Sequence, residues 1–369
     1  MPVFKYVELA ERLKVEIMAA TVAPGKKFLT EDIIIERFGV SRNTARQSIS
    51  LLVKQGFLVK KQGSGTYISE RIAEYQEKKQ NSAKNKCIAV VMTQVNLYVF
   101  PSVLMGISDY LFEHDYYTII RMTLNKIGKE KQVLKELLET EVAGMILEPA
   151  RSGYPPINHE LYRQIQQKYP CVLIHASLPE FGFPSVDNAN IPGFSLLVDH
   201  LVEYGHRNIA LICKSDEQSG VSRFLGYAEG LDRHGLTMDE SRVLWFNDED
   251  FEDLFTDANA HRVMRTFNNC TAVMCYNDNV VIKFLPFLQK HNIRVPEDLS
   301  VVGFDDLQPG SMERPVTTME HPKEELGRAA GKAILTLIEN PFADVTVKFK
   351  PKLVDKHSVL RLNRDEKVK

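Results

Sequence analysis

Apolar side chains recur at three- and four-residue spacing in the first part of the chain. They do so across residues 6–20, which is the pattern of an amphipathic helix. A second helix is predicted to begin after Thr30, a good N-cap residue, and to end at Gly39. A third is predicted to begin after Ser41 and to end at Gly56, so only a short turn separates the second helix from the third.

Two short apolar runs follow the third helix and flank a glycine-rich turn. Residues 57–61 and 66–68 have the composition of strands, and residues 62–65 read Gln-Gly-Ser-Gly, which is typical of a hairpin turn. Three helices followed by a basic hairpin predict a winged helix-turn-helix, a mainly α fold. Its third helix would bury Ala45, Ile49 and Leu52. The polar residues predicted to point away from this stripe are Arg42, Asn43, Arg46, Gln47 and Ser50.

The exposed face of the third helix carries side chains suited to DNA. Arg42 and Arg46 lie one turn apart, and Arg, Asn and Gln side chains can form paired hydrogen bonds with base edges. Lys60 and Lys61 of the hairpin would lie along the phosphate backbone or the minor groove, where positive charge gives affinity. The same pattern also fits a small helical domain with a solvated basic face, or a protein-docking module.

Beyond residue 86, short apolar runs alternate with amphipathic stretches. A first series of strands and helices is predicted at 88–92, 103–112, 118–122, 133–138, 144–147, 161–165 and 172–174. A second series is predicted at 196–202, 209–213, 224–231, 243–246, 272–275, 280–288 and 301–304. Strands that alternate with helices form parallel sheets, so two series predict an α/β body of two lobes. Ligands of such sheets bind at the carboxyl ends of the strands, here in a cleft between the lobes.

Polar and aromatic side chains stand at or near the predicted strand ends of both series. The candidates for ligand binding are Tyr98, Phe100, Glu148, His175, Lys214, Arg223, Asn277 and Asp305. Carboxylates and amides pair with vicinal hydroxyls, Arg supplies a planar fork, and aromatic rings cover the apolar face of a sugar. The set suits a small polyol or sugar. Structural roles are the alternative: Asp305 or Asn277 as helix caps, Lys214 as a solvated cation, and His175 as a structural imidazole.

Charge is unevenly distributed along the chain. The whole sequence has 46 Lys+Arg and 48 Asp+Glu, a net charge of −2. Residues 1–70 have 11 basic and 7 acidic residues, or +4, which leaves 35 basic and 41 acidic residues, or −6, in the remainder. Residues 38–69, a run of 32 positions, contain no acid. This distribution favours a first domain that faces an anionic partner, attached to a body that does not.

Length and composition are those of an ordinary globular protein. At about 150 residues per domain, 369 residues predict two or three domains. No apolar run approaches the ~20 residues of a membrane span, and the first 30 residues lack the layout of a signal peptide, so we expect a cytoplasmic protein. Five cysteines without a C-x-x-C pair fit reduced thiols.

The sequence contains none of the common catalytic motifs that we sought. These are the G-x-x-x-x-G-K-[ST] phosphate loop, G-x-G-x-x-G after a strand, G-x-S-x-G and H-E-x-x-H. Cys270 and Cys275 flank four residues on or beside one strand, which indicates buried thiols rather than a metal site. We therefore expect a protein that is not an enzyme and holds no metal or cofactor. Hydrolysis by scattered Ser, His and Asp residues stays open as an alternative.

The first seventy residues resemble the DNA-binding domain of the GntR family. The matching stretches are Pro24-Gly25-Lys26-Lys27 with Thr30-Glu31, Phe38-Gly39-Val40-Ser41-Arg42, Gln55-Gly56-Phe57 and Gly63-Ser64-Gly65-Thr66-Tyr67. The resemblance, with the residue types above, implies DNA contacts by Thr30, Glu31, Ser41, Arg42, Asn43, Thr44, Arg46, Gln47, Lys60, Lys61, Gly63, Ser64 and Gly65. The family usually has a basic residue where this chain has Asp32, which reverses the charge at that position.

The body resembles the effector domain of the LacI/GalR family from about residue 87 to 360. The matching stretches are Val186-Asp187-Asn188, Gly205-His206-Arg207, Arg223-x-x-Gly226-Tyr227, Cys275-Tyr276-Asn277-Asp278 and Gly303-Phe304-Asp305-Asp306. The resemblance implies a two-lobed fold like that of type I periplasmic binding proteins. In that family the Arg of R-x-x-G and the first Asp of G-[FY]-D-[DN] hold the effector, which implies this role for Arg223 and Asp305. The Asn-Asp pair implies it for Asn277.

A GntR-type head on a LacI-type body is the arrangement of the arabinose repressors, which the whole chain resembles. Further matching stretches are Tyr98-Val99-Phe100-Pro101-Ser102, Leu147-Glu148-Pro149 and Glu320-His321-Pro322-Lys323. The resemblance implies a homodimeric repressor of carbohydrate-use genes that binds a near-palindromic operator and is released by a sugar, L-arabinose. In place of the Asn of that pattern this chain has His175, so another pentose or hexose stays open. A sugar-binding transport protein and a carbohydrate enzyme are the alternatives.

The predicted domain order follows from these patterns. Residues 1–70 form the winged helix-turn-helix, and residues 71–86, which are mostly polar and charged, form a linker. Residues 87–369 form the sugar-binding and dimerisation domain.

Overall fold

The head of the protein contains three helices and a hairpin. The computed structural model describes residues 5–18, 23–70, 72, 85–96, 98–307 and 314–362. The elements of the head are α1 (Lys5–Met18), α2 (Glu31–Phe38), α3 (Arg42–Lys54), β1 (Leu58–Lys61) and β2 (Gly65–Ile68). The two strands are antiparallel, with Leu58 opposite Ile68. The backbone at Lys27 pairs with Tyr67 and widens the hairpin into a wing.

The helix boundaries of the head follow from local chemistry. Thr30 caps α2 by accepting a hydrogen bond from the backbone N–H of Ile33, and Ser41 caps α3 in the same way. Gly39 ends α2 in the left-handed region, at φ 63°, where glycine carries no steric penalty. These starts and stops confirm the predictions for both helices. Their apolar faces meet in a core that includes Leu13, Ile34, Leu52 and Phe57.

The core of the head continues past the hairpin. Ile72 is 1% exposed and packs into the same cluster, two residues beyond the predicted domain boundary at residue 70. The predicted linker, residues 71–86, lies mostly outside the described residues. Its boundaries therefore stay predictions.

The body consists of two α/β lobes. The N-lobe contains β3 (Cys87–Met92), α4 (Phe100–Phe112), β4 (Tyr117–Met122), α5 (Ile127–Glu139), β5 (Gly144–Leu147), α6 (His159–Lys168), β6 (Cys171–Ile174), β7 (Ser185–Asn188), α11 (Lys323–Glu339) and β13 (Val347–Phe349). The C-lobe contains α7 (Asn190–Glu203), β8 (Ile209–Lys214), α8 (Gln218–Arg233), β9 (Val243–Phe246), α9 (Ala260–Thr266), β10 (Ala272–Cys275), α10 (Asp278–Lys290), β11 (Ser300–Val302), β12 (Thr318–Met319) and β14 (Leu353–Val354).

Each lobe is built on a parallel sheet. The N-lobe sheet has the strand order β13-β7-β6-β5-β3-β4 and the C-lobe sheet the order β11-β10-β8-β9. Buried apolar side chains cover both faces of both sheets, as parallel strands require. The two parallel sheets predicted from the alternating pattern are confirmed. Within the described residues, no helix has both the length and the apolar character needed to cross a membrane.

The chain crosses between the lobes three times. The crossings lie between β7 and α7, between β12 and α11, and between β13 and β14. The sequence pattern predicted the first series and the second series but missed α9, α11, β7 and the short strands β12, β13 and β14. As a result it gave no indication that α11 returns to the N-lobe. Three crossings side by side form the hinge of the cleft.

Candidate effector site and nucleic-acid interface

A cavity of about 490 Å³ lies between the lobes at the carboxyl ends of their strands. All eight predicted effector residues line it. Tyr98, Phe100, Glu148 and His175 come from the N-lobe, and the remaining four come from the C-lobe. Residues more than 200 positions apart in the sequence therefore share one site.

The C-lobe wall is organised around Arg223 on α8, which is 4% exposed. Its Nη2 lies 3.3 Å from Oδ1 of Asp305, and its Nε donates to Oδ1 of Asn190 at 3.0 Å. The guanidinium stacks 3.9 Å from the ring centroid of Phe304. Burial alone would lower the pKa of Arg223, but the charges of Asp305 and of further nearby acidic groups together outweigh it, and the pKa is raised. A fixed, charged fork thus faces the cavity.

Asp305 also joins the two lobes. The Tyr98 hydroxyl of the N-lobe donates to its carboxylate. Burial and then the charge of Asp305 raise the pKa of Tyr98 well above its usual value, so the phenol keeps its proton and acts as a donor. Lys323 Nζ donates to the carbonyl oxygens of Asp305 at 2.5 Å and Asp306 at 3.0 Å. These bonds hold both residues at positive φ.

The N-lobe wall centres on Glu148. Its carboxylate accepts hydrogen bonds from the backbone N–H of Thr93 at 2.8 Å, from the Thr93 hydroxyl at 2.7 Å and from Nδ1 of His175 at 2.8 Å. Burial alone would lower the pKa of His175, but the hydrogen bond to Glu148 and its charge raise it. His175 is therefore held in one orientation and favours the protonated form.

Two imidazoles leave unused nitrogens at the hinge side of the cavity. Nε2 of His175 and Nδ1 of His321 are buried and have no hydrogen-bond partner among the described residues. The two rings lie 5.5 Å apart, centroid to centroid, in an edge-to-face arrangement. Burial, and then the nearby His175, lower the pKa of His321 well below its usual value. The pair can offer both a donor and an acceptor to a hydroxyl group.

The structure decides between the alternatives left open for three candidates. Lys214 is 8% exposed and forms ion pairs with Glu217 and Asp248, both at 2.5 Å, so it is not a solvated cation. Asp305 pairs with Arg223 and Tyr98 and caps no described helix. Asn277 does cap α10, because its Oδ1 accepts from the N–H of Val280 at 3.1 Å. It lines the cavity as well, with its Nδ2 as the remaining donor.

Several lining residues were not predicted from the sequence. They are Thr93, Asp187, Asn190, Glu217, Tyr276 and His321. Asp187 lies near the end of β7, a strand that the apolar pattern missed, and Asn190 is the first residue of α7. His321 lies on the crossing before α11. Asp187, Tyr276 and His321 each stand in a stretch that matches the family, and this was the signal that could have identified them.

The charge of the cavity restricts its ligand. Six carboxylates line the cavity, against Lys214, Arg223 and the His175 imidazole. The carboxylates belong to Glu148, Asp187, Glu217, Asp248, Glu252 and Asp305. Excess negative charge disfavours anions, whereas paired donors and acceptors beside Phe100 and Tyr276 suit a neutral polyol or sugar. Among the described residues, no group of three or more His, Cys, Asp and Glu side chains is placed to hold a metal ion.

A set of contacts spans the cleft at the edge of the cavity, and two of its residues, Asn125 and Asp248, also line the cavity. Nδ2 of Asn125 lies 2.6 Å from Oδ2 of Asp248, and Nη1 of Arg151 lies 2.9 Å from Oδ2 of Asp216. Glu249 accepts from Arg151 as well. We call these residues (Asn125, Arg151, Asp216, Asp248 and Glu249) the interlobe latch.

The head presents the predicted DNA contacts on two surfaces. On α3, Arg42, Asn43, Arg46 and Gln47 are exposed. The hairpin exposes Lys60, Lys61, Gly63, Ser64 and Gly65. The hydroxyl of Thr30 caps α2 and that of Ser41 caps α3. Oγ1 of Thr44 lies 2.8 Å from Oγ of Ser41.

The two arginines of this surface are paired with acids of α2. Arg42 Nη2 lies 2.5 Å from Asp32, and Arg46 Nε lies 3.3 Å from Glu31. All four side chains are at least one-third exposed, so these pairs can exchange for phosphate or base contacts at little cost. Sequence reasoning found the residues of this face but not their partners.

Comparison with known proteins places both parts of the chain. Residues 5–68 match the family described as bacterial regulatory proteins, gntR family, and residues 198–359 match a periplasmic binding protein-like domain. The chain is 31% identical over 99% of both lengths to the arabinose metabolism transcriptional repressor of Halalkalibacterium halodurans. It is also 31% identical to the protein of the same name from Geobacillus stearothermophilus, over 96% of this chain and 97% of the relative.

A solved structure shares the architecture. The transcriptional regulator CelR in complex with cellobiose aligns with a TM-score of 0.65 at 22% identity, covering 90% of this chain and 100% of that one. At this identity the match concerns the fold. Together these similarities confirm the winged helix-turn-helix and the two-lobed body predicted from the sequence.

Proposed function

Because this chain belongs to the family of arabinose metabolism transcriptional repressors, we propose that it represses sugar-utilisation genes and is released from its operator by L-arabinose bound between the lobes. The observation that carries the proposal is that all eight predicted effector residues line one cavity, whose volume and polar side chains suit a neutral sugar. Membership of a repressor family removes the transport-protein and enzyme alternatives. The second candidate is another effector, a different pentose or a hexose. His175 supports this candidate, because it replaces the Asn of the arabinose-repressor pattern and changes the hydrogen bonds available to the sugar.

We assign the effector contacts by chemistry. Arg223 and Asp305 would hold adjacent sugar hydroxyls, since a carboxylate accepts and a guanidinium donates. Glu148, His175 and Lys214 would form hydrogen bonds with the remaining hydroxyls of the sugar. Asn277 would donate a further hydrogen bond through its Nδ2. Tyr98 and Phe100 would cover the apolar face of the ring. This assignment uses the side chains that line the cavity and the nitrogens that have no partner among the described residues.

We assign operator binding to the exposed face of α3 and the wing. Arg42, Asn43, Arg46 and Gln47 would enter the major groove, while Lys60 and Lys61 would lie along the phosphates. The peptide groups at Thr30, Ser41 and Gly63 to Gly65 would approach the backbone, because helix N-termini and glycine turns present N–H groups to anions. Glu31 would orient Arg46, to which it is paired. A repressor of this kind acts in the cytoplasm, where its operator lies.

A near-palindromic operator requires two heads, and the N-lobe offers a surface for a second copy of the chain. Exposed apolar side chains gather on α4 and on β4, an edge strand of the six-stranded sheet. They include Met105, Phe112, Tyr117, Ile120 and Met122, of which Phe112 is 80% and Tyr117 60% exposed. Exposed large apolar side chains concentrated in one region are typical of an interface, and a two-fold axis would bury this region against its copy. We therefore propose a homodimer.

The proposed release mechanism is a shift between two arrangements of the lobes. Sugar that contacts both walls of the cavity stabilises the closed arrangement, in which the heads no longer fit adjacent half-sites. Coupling of this kind typically amounts to ~1–3 kcal/mol and is reciprocal, so operator DNA must weaken sugar binding by the same factor.

The test combines a thermal-shift screen with an operator-binding assay. Pentoses and hexoses are screened for stabilisation of the full chain, and the stabilising sugar is then titrated against protein bound to fluorescent operator. We expect L-arabinose to raise the melting temperature and to release DNA, and Arg223→Ala to abolish both effects while leaving DNA binding intact. Arg233→Ala is the matched control, because Arg233 lies on the same helix but is half-exposed and pairs with Asp199 at 2.8 Å. A screen in which no sugar stabilises the wild type would refute the proposal.

A further inference from the structure

Helices α4 and α11 form a parallel pair that runs the length of the N-lobe. Their backbones touch, because a Cβ built on Gly106 would lie 2.2 Å from the carbonyl oxygen of Glu324, and one on Gly327 would lie 2.1 Å from that of Val103. No side chain fits at either position. Beside this close approach, Arg328 of α11 reaches the end of α4 and forms a 2.6 Å ion pair with Glu113. Close packing of this kind makes the two helices move as one body.

Both helices begin at the effector cavity. Phe100 is the first residue of α4 and lines the cavity. α11 begins at Lys323, whose ammonium group donates to the carbonyl oxygens of Asp305 and Asp306. His321, two residues earlier, carries one of the nitrogens without a partner among the described residues. A sugar in the cavity would therefore lie next to Phe100 at the start of α4 and next to His321, two residues before α11.

The far end of α11 reaches the DNA-binding head. After the helix ends at Glu339, the side chain of Asn340 accepts a hydrogen bond from the N–H of Phe342 at 3.3 Å, and Ala343 N–H donates to the Asn340 carbonyl at 3.0 Å. This turn fixes the direction in which Phe342 projects.

Phe342 packs into the core of the head. Its ring meets Phe57 edge to face, with 4.6 Å between centroids. A Cβ built on Gly56, which lies at φ 81°, would be 3.0 Å from the Phe342 ring. Phe57 is fully buried with Phe342 against it. An aromatic side chain of the body thus completes the hydrophobic core of the head.

We propose that Phe342 is the coupling contact between effector site and DNA-binding head. The parallel helix pair transmits a change of the cavity walls along the N-lobe, and Phe342 makes the head follow the N-lobe. Without this contact, movement of the lobes should have a weaker effect on the orientation of α3. The inference rests on the proposed function, because it explains how sugar changes operator affinity.

The test measures coupling separately from the two binding reactions. For the full-length wild type and for Phe342→Ala, sugar affinity is measured by calorimetry, and operator affinity by fluorescence anisotropy with and without saturating L-arabinose. We expect the sugar Kd of Phe342→Ala to lie within about twofold of the wild-type value. The ratio of its operator Kd with sugar to its operator Kd without sugar should be at least fivefold smaller than in the wild type, and so closer to unity.

Three further variants sharpen the result. Phe183→Ala removes a half-buried N-lobe ring that packs against Phe181 and not against the head, and it should retain the wild-type ratio. Phe342→Leu keeps apolar volume at the contact and should restore most of the ratio. Asn340→Ala loosens the turn without altering the ring, and it should lower the ratio about two- to threefold even if Phe342→Ala fails to fold.

The outcomes separate the inference from the proposed function. A wild type that binds no operator, or that no sugar releases, refutes the proposed function and with it the coupling role. A wild type that responds normally while Phe342→Ala and Asn340→Ala keep its full ratio refutes the coupling role alone. Loss of the ratio in Phe183→Ala to the same extent would show a general loss of N-lobe packing and would also overturn it.

Discussion

Arg151 of the N-lobe and Asp216 of the C-lobe form an ion pair across the cleft, 2.9 Å from Nη1 to Oδ2. The Asp216 side chain is fully buried and that of Arg151 is 13% exposed, so water does not screen the pair. Burial raises the pKa of Asp216, against the opposing charge of Lys214. Because this pair can exist only when the lobes are together, the interlobe latch contributes directly to the free energy of closure.

Replacing Arg151 should weaken effector binding without removing any residue that lines the cavity. In Arg151→Met the buried Asp216 loses its 2.9 Å ion pair and keeps the longer contacts with Lys214 at 3.8 Å and Asn125 at 3.3 Å. Removing one partner of a buried ion pair is unfavourable. We expect the open arrangement to gain population and the sugar Kd to rise about tenfold, which corresponds to ~1.4 kcal/mol. Isothermal titration calorimetry measures the change.

Lys126 supplies the control for the latch. It pairs with Glu249, as Arg151 does, but both side chains of that pair are about half exposed. Exposed pairs contribute little, so Lys126→Met should change the sugar Kd by less than twofold. Equal effects of Lys126→Met and Arg151→Met would contradict the role given to the buried pair.

Asp305→Asn should abolish the response to sugar and preserve operator binding. The substitution keeps the shape of the side chain but removes the charge that pairs with Arg223 and accepts from Tyr98. Loss of charge-assisted hydrogen bonds should weaken sugar binding roughly 10- to 100-fold. Asp306→Asn is the matched control, because Asp306 shares the left-handed backbone but pairs with Lys356 outside the cavity. Release of operator by sugar, followed by anisotropy, distinguishes the two variants.

Removing the acid beside Arg42 should strengthen operator binding. Asp32 holds the Arg42 guanidinium at 2.5 Å and adds negative charge to the surface proposed to meet phosphates. Asp32→Asn should therefore lower the operator Kd several-fold at low salt.

Arg46→Ala should have the opposite effect and raise the operator Kd. If Arg46 contacts a phosphate, the variant should also reduce the slope of the logarithm of the operator association constant against the logarithm of the salt concentration by about one. Arg12→Ala, which removes an exposed cation of α1 paired with Glu8, should leave both quantities nearly unchanged. Unaltered operator affinity in Arg46→Ala would remove that residue from the contact set.

Acid should destabilise the C-lobe through His206. Its side chain is buried, with Nδ1 2.8 Å from the Thr271 hydroxyl, and burial lowers its pKa from 6.5 to about 4. The unfolded chain binds a proton at His206 below pH 6.5, whereas the native protein does so only near pH 4. The free energy of unfolding therefore decreases as the pH falls from 6.5 to 4, and at pH 5 it should be about 2 kcal/mol lower than at neutral pH. Above pH 6.5 the group contributes no pH dependence.

Urea denaturation at pH 5 and pH 7.5 checks this expectation. His206→Gln should narrow the difference in unfolding free energy between the two pH values. His357→Gln, which alters an imidazole that is 92% exposed, should leave the difference as in the wild type. An unchanged difference in His206→Gln would show that another group controls acid stability.

The sequence predicted most of the architecture because local chemistry fixes it. Strands β5, β9 and β10 begin and end at the predicted residues, since continuous apolar runs in parallel sheets leave little ambiguity. The missed elements depend on distant partners. β13 is half-exposed and forms because β7 is beside it, and α11 carries apolar residues against α4, a helix more than 200 positions earlier. No local pattern reports such a contact.

The candidate site shows the same division. Residues at the ends of recognised strands, such as Glu148 and Lys214, were found because strand topology places them. His321 was missed because it lies on a crossing between lobes. The partners of predicted residues were also missed: the bond from Tyr98 to Asp305 joins different lobes, and the pairing of Arg42 with Asp32 depends on how α2 lies against α3.

The left-handed backbone positions around the cleft limit how this protein could be given a new effector. Non-glycine residues at positive φ include Tyr98, Asn125, Arg151, His175, Asp305 and Asp306. β-branched side chains are strongly disfavoured in this conformation, so Val, Ile and Thr are poor choices at each of these positions. A library that varies them freely would consist largely of unstable proteins. Thr93, Glu217 and Tyr276 line the same cavity without positive φ, and they are the positions at which specificity can be changed with the scaffold intact.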